Sequence, residues 1–72
     1  MPSFKFKLHG EFIELNQLLK VAGLCTSGGA GKVLVAQGRV RVNGQPESRK
    51  TCKIGPGSVV VLGDASIEVI SA

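Results

Sequence analysis

The strongest constraint on this chain lies in seven residues, Gly38-Arg39-Val40-Arg41-Val42-Asn43-Gly44. Charged and apolar side chains alternate with period two, which sends Val40 and Val42 to one side of a strand and Arg39 and Arg41 to the other. Asn-Gly then supplies the pair preferred in a two-residue type I′ turn. A strand ending in that turn has to fold back on itself, so the string predicts a β-hairpin with a guanidinium-bearing face. The returning segment, Gln45 to Lys53, contains Pro46, which cannot donate to a ladder and marks an edge or irregular strand.

The segments around the hairpin have their own periodicities. Phe4-Lys5-Phe6-Lys7-Leu8 alternates and reads as a short strand, not as the apolar core of a signal peptide. Leu15, Leu18, Leu19 and Ala22 recur at helical spacing and form one apolar stripe, with Gly23 placed to stop the helix. Thr26 or Ser27 caps a second helix that opens on Gly28, Gly29 and Gly31, strengthens through Val33, Leu34 and Val35, and stops at Gly38. After the hairpin come a turn over Ile54-Gly55-Pro56-Gly57, a strand over Ser58 to Leu62, a turn at Gly63-Asp64 and a closing strand over Ser66 to Ile70. A chain of 72 residues supports two layers around one core at most. The expectation is therefore an α+β domain over 1–72: two packed helices followed by a small antiparallel sheet with its β-hairpin.

Several chemistries are excluded by what is absent. Cys25 and Cys52 stand far apart, and His9 is the one histidine, so the grouped ligands of a zinc site are missing and no metal or cofactor is expected. Both cysteines read as buried or half-buried thiols. Gly28-Gly29-Ala30-Gly31-Lys32 invites a phosphate-loop reading, but that pattern requires Gly where Thr26 stands and Ser or Thr where Val33 stands. What survives is weaker. The backbone N–H groups of Gly28 and Gly29 open a helix and attract anions, or else these glycines let two helices pack closely. No nucleophile has a histidine beside it and no carboxylates are paired, so no catalysis is expected. The ending Ile70-Ser71-Ala72 lacks the Gly-Gly tail of ubiquitin-like carriers. No apolar run approaches membrane-spanning length, and a cytoplasmic location is expected.

Charge carries the functional signal. The formal net charge is +4, and seven of the nine basic residues lie between Lys20 and Lys53 with Glu47 as the sole acid among them. One-signed charge of that kind points to a polyanionic partner. Arg39 and Arg41 offer bidentate contacts to phosphate, and Arg49, Lys50 and Lys53 form a second cluster that the hairpin brings back towards them. Lys32 on the second helix completes the candidate surface. With three Phe and neither Trp nor Tyr, aromatic stacking is not expected to be the main device.

These residues also carry a resemblance. Gly38-x-Val40-x-Val42-Asn43-Gly44, preceded by Leu15, Leu18, Leu19, Gly23, Ser27 and Ala30-x-x-Val33-Leu34, resembles the ribosomal protein S-four-like RNA-binding domain. Gly55-Pro56-Gly57-Ser58-Val59-Val60 resembles that family's later glycine turn and strand. The resemblance implies an αL RNA-binding motif with its core at 13–60 and binding of structured RNA, often ribosomal, across the helix pair and hairpin. The family commonly has Arg where this chain has Gly28, and Lys32 one turn later is placed to take over part of that contact. The expected RNA-contact set is Lys32, Arg39, Arg41, Arg49, Lys50 and Lys53, with the Gly28 and Gly29 backbone behind them, in a non-catalytic monomer that takes no small-molecule substrate. Two rivals remain: a module that docks an acidic protein partner, and a DNA binder, since phosphate contacts alone do not separate the two nucleic acids.

Overall fold

In the computed structural model, which describes residues 3–72, the leucine stripe becomes helix α1 over Leu15–Val21, with Leu15, Leu18 and Leu19 wholly buried. Gly23, at φ +79°, ends it. Met1 and Pro2 of the expected domain lie outside the described residues. Ser27 caps helix α2, Gly28–Ala36, by accepting a hydrogen bond from Ala30 N at 3.1 Å. Between the two expected caps, Ser27 is therefore the one used. Gly38, at φ +73°, closes the second helix.

The helices cross where Gly31 meets Asn16. A Cβ built on Gly31 would fall 2.7 Å from the Asn16 carbonyl oxygen, so any side chain here would push the Asn16 backbone aside. A Cβ on Gly28 would touch the Asn16 and Gln17 side chains, whereas one on Gly29 would meet only Ser27 Oγ at 3.8 Å. The close-packing reading of the glycine run thus holds for Gly31 most of all.

The strands are β1 (Ser3–Leu8), β2 (Ile13–Glu14), β3 (Val40–Val42), β4 (Gln45–Pro46), β5 (Lys53–Ile54), β6 (Val59–Leu62) and β7 (Ala65–Ser71). Five of them form one sheet in the order β1-β7-β6-β3-β4, while β2 and β5 pair separately. Asn43 and Gly44 have φ of +53° and +83°, the two positive values a type I′ turn requires. The expected irregularity of the return strand is also present: β4 is two residues long, and the chain then leaves the sheet until Lys53.

The sheet differs from expectation in one respect. Strands β3, β4, β6 and β7 are antiparallel as predicted, but β1 joins β7 in parallel, with Phe4 opposite Ile67 and Phe6 opposite Val69. The sheet is therefore mixed. Parallel neighbours need a long connection, and here everything between β1 and β7 supplies it. Buried Leu8, Val40, Val60, Ile67 and Val69 meet Leu15, Leu18, Leu19 and Val35 in one core, so the helices cover one sheet face.

Candidate nucleic-acid interface

Helix α1 begins without a side-chain cap. The N–H groups of its first turn need acceptors, and the loop after the hairpin provides them. Leu15 N donates to Cys52 O at 2.8 Å and Asn16 N to Lys50 O at 3.2 Å. A tight turn, Cys52 N to Arg49 O at 3.2 Å, shapes the same segment, and pairing of Glu14 with Lys53 and of Ile13 with Ile54 fixes its far end. A loop with no regular structure of its own is thereby anchored along a helix end.

Glu47 organises the other end of that loop. Its carboxylate accepts from Arg49 N, Nε and Nη2, each at 3.0 Å, and from the Cys52 thiol at 3.5 Å. The Arg49 guanidinium holds the Glu47 carboxyl at about 2, far below its ordinary 4.5. Arg49 is in turn raised by the same hydrogen bond, and burial, ahead of the glutamate, pushes the Cys52 thiol up. Cys25 and Cys52 are both half-buried free thiols, as the sequence implied. Among the described residues Glu47–Arg49 is the one ion pair.

The anchored loop meets α2 across a concavity of about 780 Å³ lined by Lys32 and by Ser48 through Lys53. Lys32, Arg49, Lys50 and Lys53, two elements apart in sequence, share this groove. All four side chains are exposed. Four cations around one depression suit a run of phosphates, with Arg49 partly neutralised by Glu47.

Arg39 and Arg41 do not line the groove. The strand starts only at Val40, because Arg39 N is used to close α2 through Leu34 O at 3.3 Å. Arg39 borders separate, apolar depressions alongside Leu24, Leu34 and Leu62. Arg41 is exposed at mid-strand, opposite Pro46 on one side and Val61 on the other. The groove thus gathers Lys32 with Arg49, Lys50 and Lys53, and the expected approach of that cluster to Arg39 and Arg41 does not bring either arginine into its lining. Gly28 and Gly29 open α2, where backbone N–H groups have no partner within the helix.

Two residues at the site had drawn no expectation of this kind. In the sequence Glu47 stands only as the lone acid of a basic stretch, because spacing in a coil does not show which donors a carboxylate collects. Phe12, 45% exposed, has its ring 4.9 Å from Lys53 Nζ at the edge of the groove. No local pattern marks it.

A two-layer α+β fold with this helix pair, Asn-Gly hairpin and glycine turn defines a member of a known class: residues 6–70 match the S4 domain, and the chain belongs to that family. It is 38% identical over 71 residues to YbcJ of Escherichia coli, covering 99% of this chain and all of that protein. The solution structure of Escherichia coli YbcJ, described as revealing an αL motif involved in RNA binding, superposes with a TM-score of 0.67 over 99% of this chain and 89% of its own. A Bacillus subtilis relative named "Probable ribosome maturation protein RlbA" is 37% identical over 62 residues, covering 85% of this chain and 87% of that protein.

Proposed function

We propose that this protein binds structured RNA through the Lys32–Lys53 groove, reading the shape of the phosphate backbone and catalysing no reaction. The observation that carries this reading is the convergence of Lys32 with Arg49, Lys50 and Lys53 on one depression. Family membership and the RNA-binding motif described for YbcJ support it. Lys32, Lys50 and Lys53 make the principal phosphate contacts, with Arg49 contributing once released from Glu47. Arg39 and Arg41 are outlying contacts, and the N–H groups of Gly28 and Gly29 donate to a phosphate oxygen at the helix start.

The binding unit is a single domain over 1–72 with its motif at 13–60, acting as a monomer in the cytoplasm. Ribosomal RNA is the favoured target, because a relative at 37% identity is named for ribosome maturation. No described helix is long and apolar enough to cross a membrane. The test is a competition between RNA and DNA hairpins of one sequence, read by filter binding. The reading predicts that RNA displaces labelled RNA at lower concentration than DNA does, since A-form geometry and 2′-hydroxyls are what shape recognition senses. Equal competition would favour a general nucleic-acid binder. Failure of both hairpins to bind would favour an acidic protein partner.

A further inference from the structure

The described residues include one exposed ring beside the basic groove, and its setting is specific. In the β2–β5 pair, Ile13 lies opposite Ile54 on the core side and Glu14 lies opposite Lys53 on the outer side. Period-two alternation places Phe12 with Glu14 and Lys53, on the solvent side. Backbone on both flanks is constrained: Ile13 is paired, and a Cβ on Gly55 would stand 3.5 Å from the Glu11 carbonyl oxygen. Phe12 is thus held outward, more exposed than Phe4 at 36% or the half-buried Phe6.

The charge around the ring differs from that of the groove. Lys53 Nζ lies 4.9 Å from the ring centroid and also lines the groove, so ring and groove share a residue. Glu14, across from Lys53 in the pair, makes no ion pair with it within 4 Å and lowers the positive potential just there. Phosphates are therefore best held in the groove, while the ring is better suited to a neutral planar group. A nucleobase is such a group, and stacking on an aromatic face with a cation nearby is how single-stranded nucleotides are held. Bases inside a duplex have their faces occupied by neighbours, so only a base turned out of the stack can reach Phe12.

We propose that Phe12 stacks an unpaired base, so that the RNA taken by this groove is a helix interrupted by at least one looped-out nucleotide. This inference rests on the RNA reading above and adds to it the class of RNA. Two synthetic probes test it by fluorescence anisotropy: an RNA hairpin with one unpaired adenosine in its stem, and the same hairpin without that adenosine. The wild-type protein is expected to bind the bulged hairpin about tenfold more tightly, the scale of one base–aromatic stack. Phe12→Leu keeps an apolar side chain and removes the ring; it should abolish that preference, so that the two hairpins bind alike. Phe12→Trp should retain the preference, and because the chain has no tryptophan of its own, its fluorescence should report the bulged hairpin alone.

A preference that survives in Phe12→Leu, or that the wild-type protein lacks, would overturn the stacking inference while leaving the RNA reading standing. Failure of the wild-type protein to bind either hairpin would remove both.

Discussion

Gly31 of α2 lies so close to Asn16 of α1 that a single methyl group would come within 2.7 Å of the Asn16 carbonyl oxygen. That approach sets the crossing of the two helices, and with it the distance from Lys32 to the loop anchored on the α1 N-terminus. Gly31→Ala gains about 1 kcal/mol of helix propensity. It also forces a backbone carbonyl aside, and overpacking of that kind costs about 1–3 kcal/mol. The net expectation in urea unfolding is destabilisation by up to about 2 kcal/mol, the difference between these two terms. Gly29→Ala meets only Ser27 Oγ at 3.8 Å and should gain up to about 0.5–1 kcal/mol. Equal effects from the two substitutions would contradict the assignment of the packing role to Gly31.

Asn43 serves the hairpin twice. It adopts the left-handed conformation at φ +53°, and its Oδ1 accepts from Val59 N at 2.9 Å, tying the turn to β6. Asn43→Gly keeps the conformation and loses the hydrogen bond, an expected cost of about 1 kcal/mol. Asn43→Ala loses both and should cost about 2 kcal/mol or more, since a left-handed alanine adds roughly 1 kcal/mol. Thermal unfolding of the two variants separates the contributions; identical melting temperatures would mean that the side-chain bond to Val59 carries all of the effect.

Glu47 links stability to acid. Its folded carboxyl, at about 2, lies below the ordinary 4.5. The stability it contributes is therefore fully present above pH 5 and is lost as pH falls towards 2. The pair is at the surface, where salt screens it, so the effect should be modest and weaker in high salt. Glu47→Gln should flatten the acid limb of a stability–pH profile measured from pH 5 to pH 2 at low ionic strength. The same substitution frees the Arg49 guanidinium, so RNA affinity should rise a few-fold and the salt dependence steepen by just under one unit. Weaker RNA binding in a folded Glu47→Gln protein would mean that the loop conformation matters more than the added charge.

Much of this arrangement was legible in the residues. Leu15, Leu18 and Leu19 announced the buried side of α1, and Asn43-Gly44 announced its turn, because both signals are local and each has a single geometric solution. The partner of β1 was not legible: Phe4, Phe6 and Leu8 define a strand face, but alternation carries no direction, and Ile67 lies more than sixty residues away in sequence. The start of α1 was obscure for a related reason, since Cys52 and Lys50 carbonyls replace the side-chain cap that marks most helices. At the site, charge clustering pointed to Arg49, Lys50 and Lys53 but not to their separation from Arg39. That separation follows from α2 using Arg39 N to close its last turn, which moves the start of the strand alternation to Val40.

The position of Arg39 has a measurable consequence. It borders Leu24, Leu34 and Leu62 away from the groove, so Arg39→Ala should weaken RNA binding less than Lys50→Ala does. Lys50→Ala should lower affinity about two- to fivefold at low salt, the loss of one phosphate contact with its counterion release. Parallel titrations of the two variants against one RNA hairpin give the ratio. A larger loss from Arg39→Ala would move the binding surface to the hairpin side of the fold.

In the proposed binding mode, cations from two separate elements act together on one phosphate run. Its most direct test is the slope of log affinity against log salt concentration for the wild-type protein and for the Lys32→Ala, Lys50→Ala double variant. With about four phosphates neutralised, the wild-type slope should be about −3, and the double variant should lose about 1.5 units of it. An unchanged slope in a folded double variant would rule that binding mode out.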